Sequence, residues 1–324
     1  MKLLEVRNLK TYFNTSKGQA KAVDGVSFDL DYGQCMGLVG ESGCGKSTTA
    51  LSICRLLPKE GFIEGGEIVL EGVNYTELSE EEMQKHRWED VSIIFQGAMN
   101  AFNPVKKVGW QIAEACILHD NMTKAQAWER AGDLFERVGI ARERITQYPH
   151  EFSGGMKQRA MIAMALACNP KLIIGDEPTT ALDVMIQAQI LELLEELRKE
   201  LNMGMLLITH DLSILSETCD KIAVMYAGKI MEMGTVSDIF QRPAHPYTKK
   251  LLACFPNIDS EERKIPDGIA GYPPVLVDPP KGCRFCPRCS LAEELCGREA
   301  PEMIQIGEEH FVSCHLKGGE AYDR

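Results

Sequence analysis

The segment Gly40-Glu-Ser-Gly-Cys-Gly-Lys46-Ser47-Thr48 fits the pattern G-x-x-x-x-G-K-[ST]. The pattern demands a strand, a curled loop and a helix in that order. An apolar run from Cys35 to Val39 precedes it, and a helical pattern from Lys46 to about Leu57 follows. Glycines let successive backbone N–H groups turn inward and cradle phosphate oxygens. The helix behind them aims its positive end at the same anion. Gly40, Glu41, Ser42, Gly43, Cys44, Gly45, Lys46, Ser47 and Thr48 are therefore the candidate triphosphate contacts. Lys46 is placed for the β- and γ-phosphates and Ser47 for Mg²⁺. At average usage such a match arises about once in 10⁴–10⁵ windows. The pattern implies that a nucleoside triphosphate is bound.

A second block narrows the chemistry. Lys171-Leu-Ile-Ile-Gly-Asp176-Glu177 is a short apolar strand ending in adjacent carboxylates. Strand alternation turns neighbouring side chains to opposite sides, so the two acids serve different tasks. Asp176 is the candidate Mg²⁺-side carboxylate and Glu177 the candidate that orients or deprotonates water. The bland reading is that the acids merely cap the next helix.

Phe152-Ser153-Gly154-Gly155-Met156-Lys157-Gln158-Arg159 lies between the blocks and runs into the helix-forming stretch Ala160–Ala167. Ser-Gly-Gly at a helix start offers a hydroxyl and unobstructed N–H groups to an anion. Alone it is a common turn; some twenty residues before the acid pair, it resembles the signature of the ABC-type ATPases, commonly Leu-Ser-Gly-Gly-Gln. Phe152 and Met156 stand at the first and last positions. Other family marks follow in order. Ser92-Ile-Ile-Phe-Gln96 resembles the Q-loop, Ala181-Leu182-Asp183 the D-loop, and Met205-Leu-Leu-Ile-Thr-His210 the switch-histidine strand. Phe13, or less well Tyr12, is spaced like the adenine-stacking aromatic. The resemblance covers about residues 3–240 and implies an α/β P-loop fold, with a RecA-like core, an N-terminal antiparallel β subdomain and a helical insert.

Acidic residues number 47 against 35 basic, a net charge of −12, so nucleic-acid binding has no electrostatic support. No apolar stretch approaches the ~20 residues needed to span a bilayer. The opening Met1-Lys-Leu-Leu-Glu-Val-Arg-Asn lacks an apolar leader core, and the expectation is a protein retained in the cytoplasm. Along the chain, a β-rich part ends near Gln96, a helical insert occupies about 100–167, and the α/β core resumes at Leu172. That core includes a long helix over Met185–Glu200. After Gly234 the character changes. The expected domains are 1–240 for nucleotide binding and 241–324 for an extension, with its last forty-odd residues a separate small unit.

Five of twelve cysteines fall in the last 42 residues: Cys283, Cys286, Cys289, Cys296 and Cys314. In a cytosolic chain such clustering argues for a metal centre over disulfides. Cys283-x2-Cys286-x2-Cys289 matches the opening of a bacterial ferredoxin motif without the rest of it. Alternatively Cys283, Cys289, Cys296 and Cys314 supply four thiolates, enough for Zn²⁺ or a [4Fe–4S] cluster. Gly282-Cys-Arg-Phe-x-Pro-Arg-Cys289, Cys296, Pro301 and Val312-Ser-Cys314-His315 resemble the tail of oligopeptide/dipeptide permease ATPases. So do His245-Pro-Tyr and Phe95-Gln-x-x-Met-x-x-x-Asn-Pro104. That resemblance implies a [4Fe–4S] cluster on the second set, with Zn²⁺ the alternative and Cys286 a departure. Gly97-Ala98 also replaces the acid–Pro pair usual after the Q-loop Gln. The other cysteines read as core fillers, except that Cys44 is expected to be exposed and acidified by Lys46 and the helix start.

The resemblance implies a peripheral ATPase on the cytoplasmic face of the membrane that powers peptide import. It implies a second ABC ATPase, a paralogue by preference, bound head to tail, so that each nucleotide meets the partner's Ser153, Gly154 and Gly155 equivalents. Two transmembrane permease subunits and, indirectly, an extracytoplasmic peptide-binding protein complete the assembly. Roles follow: Glu177 for water, His210 for the γ-phosphate, Lys46 for the β/γ-phosphates, and Ser47, Gln96 and Asp176 for Mg²⁺. Related importers of nickel complexes or oligosaccharides, a non-transport ABC ATPase and an electron-transfer protein are the alternatives. Hydrolysis by the core is expected to depend on the cluster less than the tail's stability or assembly does.

Overall fold

The computed structural model describes residues 2–97, 101–180, 182–254 and 268–316. The chain weaves two compact units. One, the helical unit, comprises Met1–Leu4, Asp29–Cys35 and Val69–Ile208; the other, the loop unit, comprises Glu5–Phe28, Met36–Ile68 and Thr209–Arg324.

The loop unit holds most of strands β1 (Lys2–Thr15), β2 (Gly18–Asp31) and β4 (Gly61–Leu70), in the order β2-β1-β4. It also holds most of β3 (Cys35–Val39) and all of α1 (Lys46–Ile53). All five residues of β3 are buried, as expected of a strand covered on both faces. The helix after the loop stops at Ile53, short of the expected Leu57, because Cys54 caps it and Arg55 takes a left-handed φ of 55°.

The helical unit contains β5 (Val73–Asn74), α2 (Glu80–His86), β6 (Val91–Ile94), α3 (Val108–His119), α4 (Lys124–Arg137) and α5 (Gly154–Ala165). It continues with β7 (Leu172–Asp176), α6 (Val184–Leu201) and β8 (Gly204–Ile208). Strands β6, β7 and β8 are parallel neighbours, with Asp176 opposite Ile208 at the ladder's end. In α4 the buried Ala127, Ala131, Leu134 and Phe135 recur at helical spacing, and Thr123 with Gln126 forms a capping box. In α6 the buried Ile190, Leu193, Leu194 and Leu197 do the same, and left-handed Asn202 closes the helix.

The rest of the loop unit is α7 (Leu212–Thr218), β9 (Lys221–Tyr226), β10 (Lys229–Thr235), α8 (Val236–Gln241) and α9 (Pro246–Ala253). The tail adds α10 (Glu294–Arg298), β11 (Ile304–Gln305) and β12 (Phe311–Val312). Strand β9 runs parallel to β3 and turns into β10 through Ala227-Gly228, both with positive φ, a two-residue hairpin whose twist suits the strands. Strand β12 pairs with β10, so the sheet order is β11-β12-β10-β9-β3.

This pairing corrects the expectation of a detached terminal unit. The tail cannot bury enough apolar area by itself, and it completes its core by borrowing the sheet edge. Phe285, fully buried, packs on Tyr226 and Tyr247 at ring-centroid distances of 5.3 and 5.2 Å. The buried Glu232 carboxylate accepts hydrogen bonds from Ala244 N (2.7 Å), His245 N (2.8 Å) and His310 Nε2 (2.7 Å). The division at Met36 and Thr209 thus cuts across the sequence-based boundary near residue 240.

Candidate nucleotide site and cysteine-lined pocket

The loop between β3 and α1 owes its curl to backbone that only glycine tolerates. Gly40 has φ +151°, and a Cβ there would lie 2.0 Å from the Met225 carbonyl oxygen; Gly45 has φ +110°, and a Cβ would lie 2.4 Å from that of Ala22. Around Gly43, by contrast, the space is open, and Ser42, Gly43 and Ser47 are exposed. Helix α1 begins without a side-chain cap, which suits an end that receives an anion. Lys46 folds back over the loop and donates to Gly40 O at 2.7 Å and Glu41 O at 3.2 Å. These weak carbonyl acceptors are ones a phosphate would replace.

Cys44 departs from its expectation. It is buried, with its thiol near Lys46 Nζ at 3.7 Å. Burial pushes its pKa up and outweighs the opposing pull of the lysine. Tyr12 is also buried: its hydroxyl donates to Asp24 at 2.8 Å, and desolvation followed by that carboxylate pushes its pKa up to about 12. Its neighbour Phe13 is half-buried and leans on Gly61, where a Cβ would meet its ring at 2.8 Å. Of the two aromatics, Phe13 is therefore the one left with surface to offer a base. His210 is exposed, just before Asp211, which caps α7 by accepting from Ser213 N.

The helical unit gathers the remaining candidates. Asp176 is buried at the end of β7. Glu177 follows in a left-handed conformation, φ 49°, its N–H donating to Ile208 O at 2.8 Å. Its Oε2 accepts from Gln96 Nε2 at 2.6 Å and from Thr180 Oγ1 at 2.9 Å. The structure thus brings Gln96 and Glu177 together across 81 residues of sequence. Ser153 caps α5 by accepting from Met156 N at 3.3 Å, which leaves its O–H proton to serve another acceptor. Gly154 and Gly155 open that helix, and a Cβ on Gly155 would crowd Ile186 Cγ2 at 3.0 Å. Asp183 caps α6 through Ile186 N at 3.0 Å. Ala181, Ala98, Met99 and Asn100 lie outside the described residues.

In the loop unit all five tail cysteines line one pocket, together with His245, Phe285, Pro301 and His315. Burial, reinforced by Cys314 and Cys296, pushes the Cys283 thiol up to about 11. Cys286, Cys289 and Cys314 are raised as well, by burial first and Cys296 among the lesser causes. Among the described residues no three metal-ligand groups are arranged as a ready-made metal site. The donor set nevertheless suits a thiophilic centre, and one buried atom points the same way. His245 Nδ1 accepts from Tyr247 N at 3.0 Å, so Nε2 carries the proton, and buried Nε2 has no hydrogen-bond partner among the described residues. An N–H donor left over beside several sulfurs suits a sulfur acceptor within the pocket.

Three residues of this region carried no sequence-based role. Arg288 binds Glu41 of the phosphate loop bidentately (2.6 and 2.9 Å), Arg284 pairs with Asp24, and the Tyr247 hydroxyl accepts from Glu41 N at 3.0 Å. Nothing local to the two arginines in the sequence pointed to partners more than 240 residues away.

The family model described as "ABC transporter" matches residues 23–180, and that described as "Oligopeptide/dipeptide transporter, C-terminal region" matches 231–296. The oligopeptide transport ATP-binding protein OppD of Bacillus subtilis is 48% identical, over 97% of this chain and 89% of that one. This chain belongs to the oligopeptide/dipeptide family of ABC transporter ATP-binding subunits. Escherichia coli OppD is also 48% identical, over 96% of this chain and 92% of its own. The dipeptide transport ATP-binding protein DppD of B. subtilis is 46% identical over 99% and 96%. CbiO1 from Clostridium perfringens, part of the ABC transporter complex cbiONQ, superposes with TM-score 0.64 at 28% identity, over 74% of this chain and 91% of that one. An ATP-binding cassette solved as a dimer bound to ADP and Pi gives TM-score 0.65 at 24% identity, over 72% and 98%, and shows the fold. The chain is thus an ABC-type ATPase with the P-loop fold of that family. Among the described residues no helix is long and apolar enough to cross a membrane.

Proposed function

We propose that this ATPase powers import of oligopeptides or dipeptides from the cytoplasmic face of the cell membrane. In this reading residues 1–240 bind nucleotide and 241–324 form the family's extension. The protein works with a second ABC ATPase, two transmembrane permease subunits and an extracytoplasmic peptide-binding protein. What supports peptides over other cargo most is the match of residues 231–296 to the peptide-transporter C-terminal region.

The roles of the site residues are part of the proposal. Lys46 leaves its loop carbonyls for the β- and γ-phosphates, and Ser47, Gln96 and Asp176 serve Mg²⁺. Glu177 orients the attacking water and His210 meets the γ-phosphate. Phe13 stacks on adenine. Ser153, Gly154 and Gly155 present their hydroxyl and N–H groups to the nucleotide of the partner ATPase, and Asp183 belongs to the D-loop. Gln96, bound to Glu177 at 2.6 Å, would register Mg²⁺ and the water carboxylate at once. Little covalent work is asked of the protein, because phosphoryl transfer is governed by positioning and charge.

For the tail we propose a [4Fe–4S] cluster on Cys283, Cys289, Cys296 and Cys314, with Cys286 dispensable and Zn²⁺ the competing occupant. The support is the five thiols on one pocket and the orphaned His245 Nε2. Such a centre, when bound, cross-links the tail and can exchange an electron. The residues themselves must release protons from raised thiols to hold it, so loading should be favoured as pH rises.

The chain should co-purify with two polytopic subunits, and the complex in proteoliposomes should accumulate peptide only with ATP. Peptide-independent hydrolysis with no uptake, or partners that are all soluble, would refute import. Anaerobically purified protein should contain iron and acid-labile sulfide, lost on replacing any of the four cysteines and kept in Cys286→Ser. Stoichiometric zinc without iron would replace the cluster reading with a zinc site.

A further inference from the structure

Arg288 ties the cysteine-bearing tail to the phosphate loop. Arg288, which lies between Cys286 and Cys289, is buried, and a guanidinium carries five N–H donors in a fixed fork. All five are engaged. Nη1 donates to Glu41 Oε2 at 2.6 Å and Tyr226 Oη at 3.2 Å. Nη2 donates to Glu41 Oε1 at 2.9 Å and Ile269 O at 2.9 Å, and Nε to Ala270 O at 2.9 Å. The Tyr226 ring stacks beside the guanidinium, with Cζ 5.6 Å from its centroid. The backbone on the other side of Glu41 is also held, its N–H donating to Tyr247 Oη at 3.0 Å.

Glu41 is a curious residue for its place. It puts a negative charge inside a loop whose task is to receive a polyanion, and like charges a few ångströms apart repel strongly where water is sparse. Among the described residues Lys46, the loop's own cation, donates to the Gly40 and Glu41 carbonyls and lies beside the Cys44 thiol. The neutralising charge comes instead from Arg288, 247 residues on.

We propose that Arg288 is a positioning residue of the nucleotide site, holding the Glu41 carboxylate in a neutralising pair beside the phosphate loop. ATP affinity is then conditional on a folded tail, since Arg288 sits two residues from Cys286 and one from Cys289 and follows wherever that segment is held. The inference rests on Gly40–Thr48 being the triphosphate site and is independent of which metal the cysteines take. It adds nucleotide binding to the roles expected of the tail, and it explains a fork geometry that a lysine could not reproduce.

The test uses the purified transporter complex and equilibrium titration with Mg²⁺ and adenosine 5′-(β,γ-imido)triphosphate. Arg288→Gln should weaken binding tenfold or more, because it exposes an uncompensated carboxylate to the phosphates. Adding Glu41→Gln to that variant should restore affinity to within about threefold of the unaltered protein, since the offending charge is then gone (tenfold is about 1.4 kcal/mol). A strut with no electrostatic part gives a different pattern, because removing the second partner cannot rescue a lost strut. Affinity within threefold of the unaltered protein in Arg288→Gln alone overturns the proposal. So does a double variant as weak as Arg288→Gln. No nucleotide binding by the unaltered complex would instead remove the triphosphate-site reading beneath it.

Discussion

Replacing Glu177 by Gln separates chemistry from architecture at this site. The carboxylate Oε2 accepts from Gln96 Nε2 at 2.6 Å and Thr180 Oγ1 at 2.9 Å. A Gln side chain has the same length, and its amide oxygen can take the place of Oε2 and keep both donors. The left-handed backbone at φ 49° is no worse for Gln than for Glu. Folding stability should therefore change by no more than about 1 kcal/mol, the scale of one neutral hydrogen bond. What is lost is the basic oxygen that accepts a proton from water. General-base catalysis contributes ~10²–10⁴-fold, or about 2.7–5.5 kcal/mol of barrier. Steady-state phosphate release by the assembled complex should fall by that factor, while nucleotide affinity stays within about threefold. The closed, ATP-bound pair of ATPases should accumulate, because the clamp forms but does not fire. Turnover within threefold of the unaltered complex would show that Glu177 is not the base. A collapse in nucleotide affinity would show that it binds ground-state ATP.

Cys44, raised by burial, should react with N-ethylmaleimide at pH 7 far more slowly than half-exposed Cys254; comparable rates by mass spectrometry would contradict the buried thiol. Phe13→Ala should weaken ATP by about 2- to 12-fold, the worth of one aromatic stacking contact, and equal affinity in a binding titration would return that role to another residue. Asp238 closes the capping box of α8, accepting from Thr235 N at 3.2 Å and Thr235 Oγ1 at 2.6 Å, and accepts from Arg242 at 2.5 Å. Burial works to raise its pKa, but the bonds from Thr235 and Arg242 together hold it below the ordinary 3.8. A depressed carboxyl stabilises the fold above its unfolded pKa and ceases to as pH falls through the folded one. Asp238→Asn should therefore cost about 1 kcal/mol at pH 7, and the gap should begin to narrow as pH falls through the unfolded carboxyl's range near about 4 and close only below the lower folded value. A gap in chemical-denaturation midpoints as large at pH 3 as at pH 7 would refute the assignment.

Local chemistry in the chain was enough to specify the fold family and the curl of the phosphate loop. Gly40, Gly45 and Lys46 are read from a nine-residue window because the loop's shape is decided by φ values that only glycine tolerates. The strand ending at Asp176 and the helix behind Ser153 are equally local, since periodicity and capping act over a few residues. Tertiary structure decided which partners the candidate side chains meet. Glu41 faces Arg288, Tyr12 is consumed by Asp24, Cys44 is buried, and Gln96 finds Glu177 across 81 residues of sequence. It also decided that the tail is no appendage, because β12 satisfies the free edge of β10 and Phe285 fills a gap between Tyr226 and Tyr247. Charge pairing and edge pairing depend on what the folded chain brings within a few ångströms. Sequence spacing carries no record of that distance once the partners are 247 residues apart.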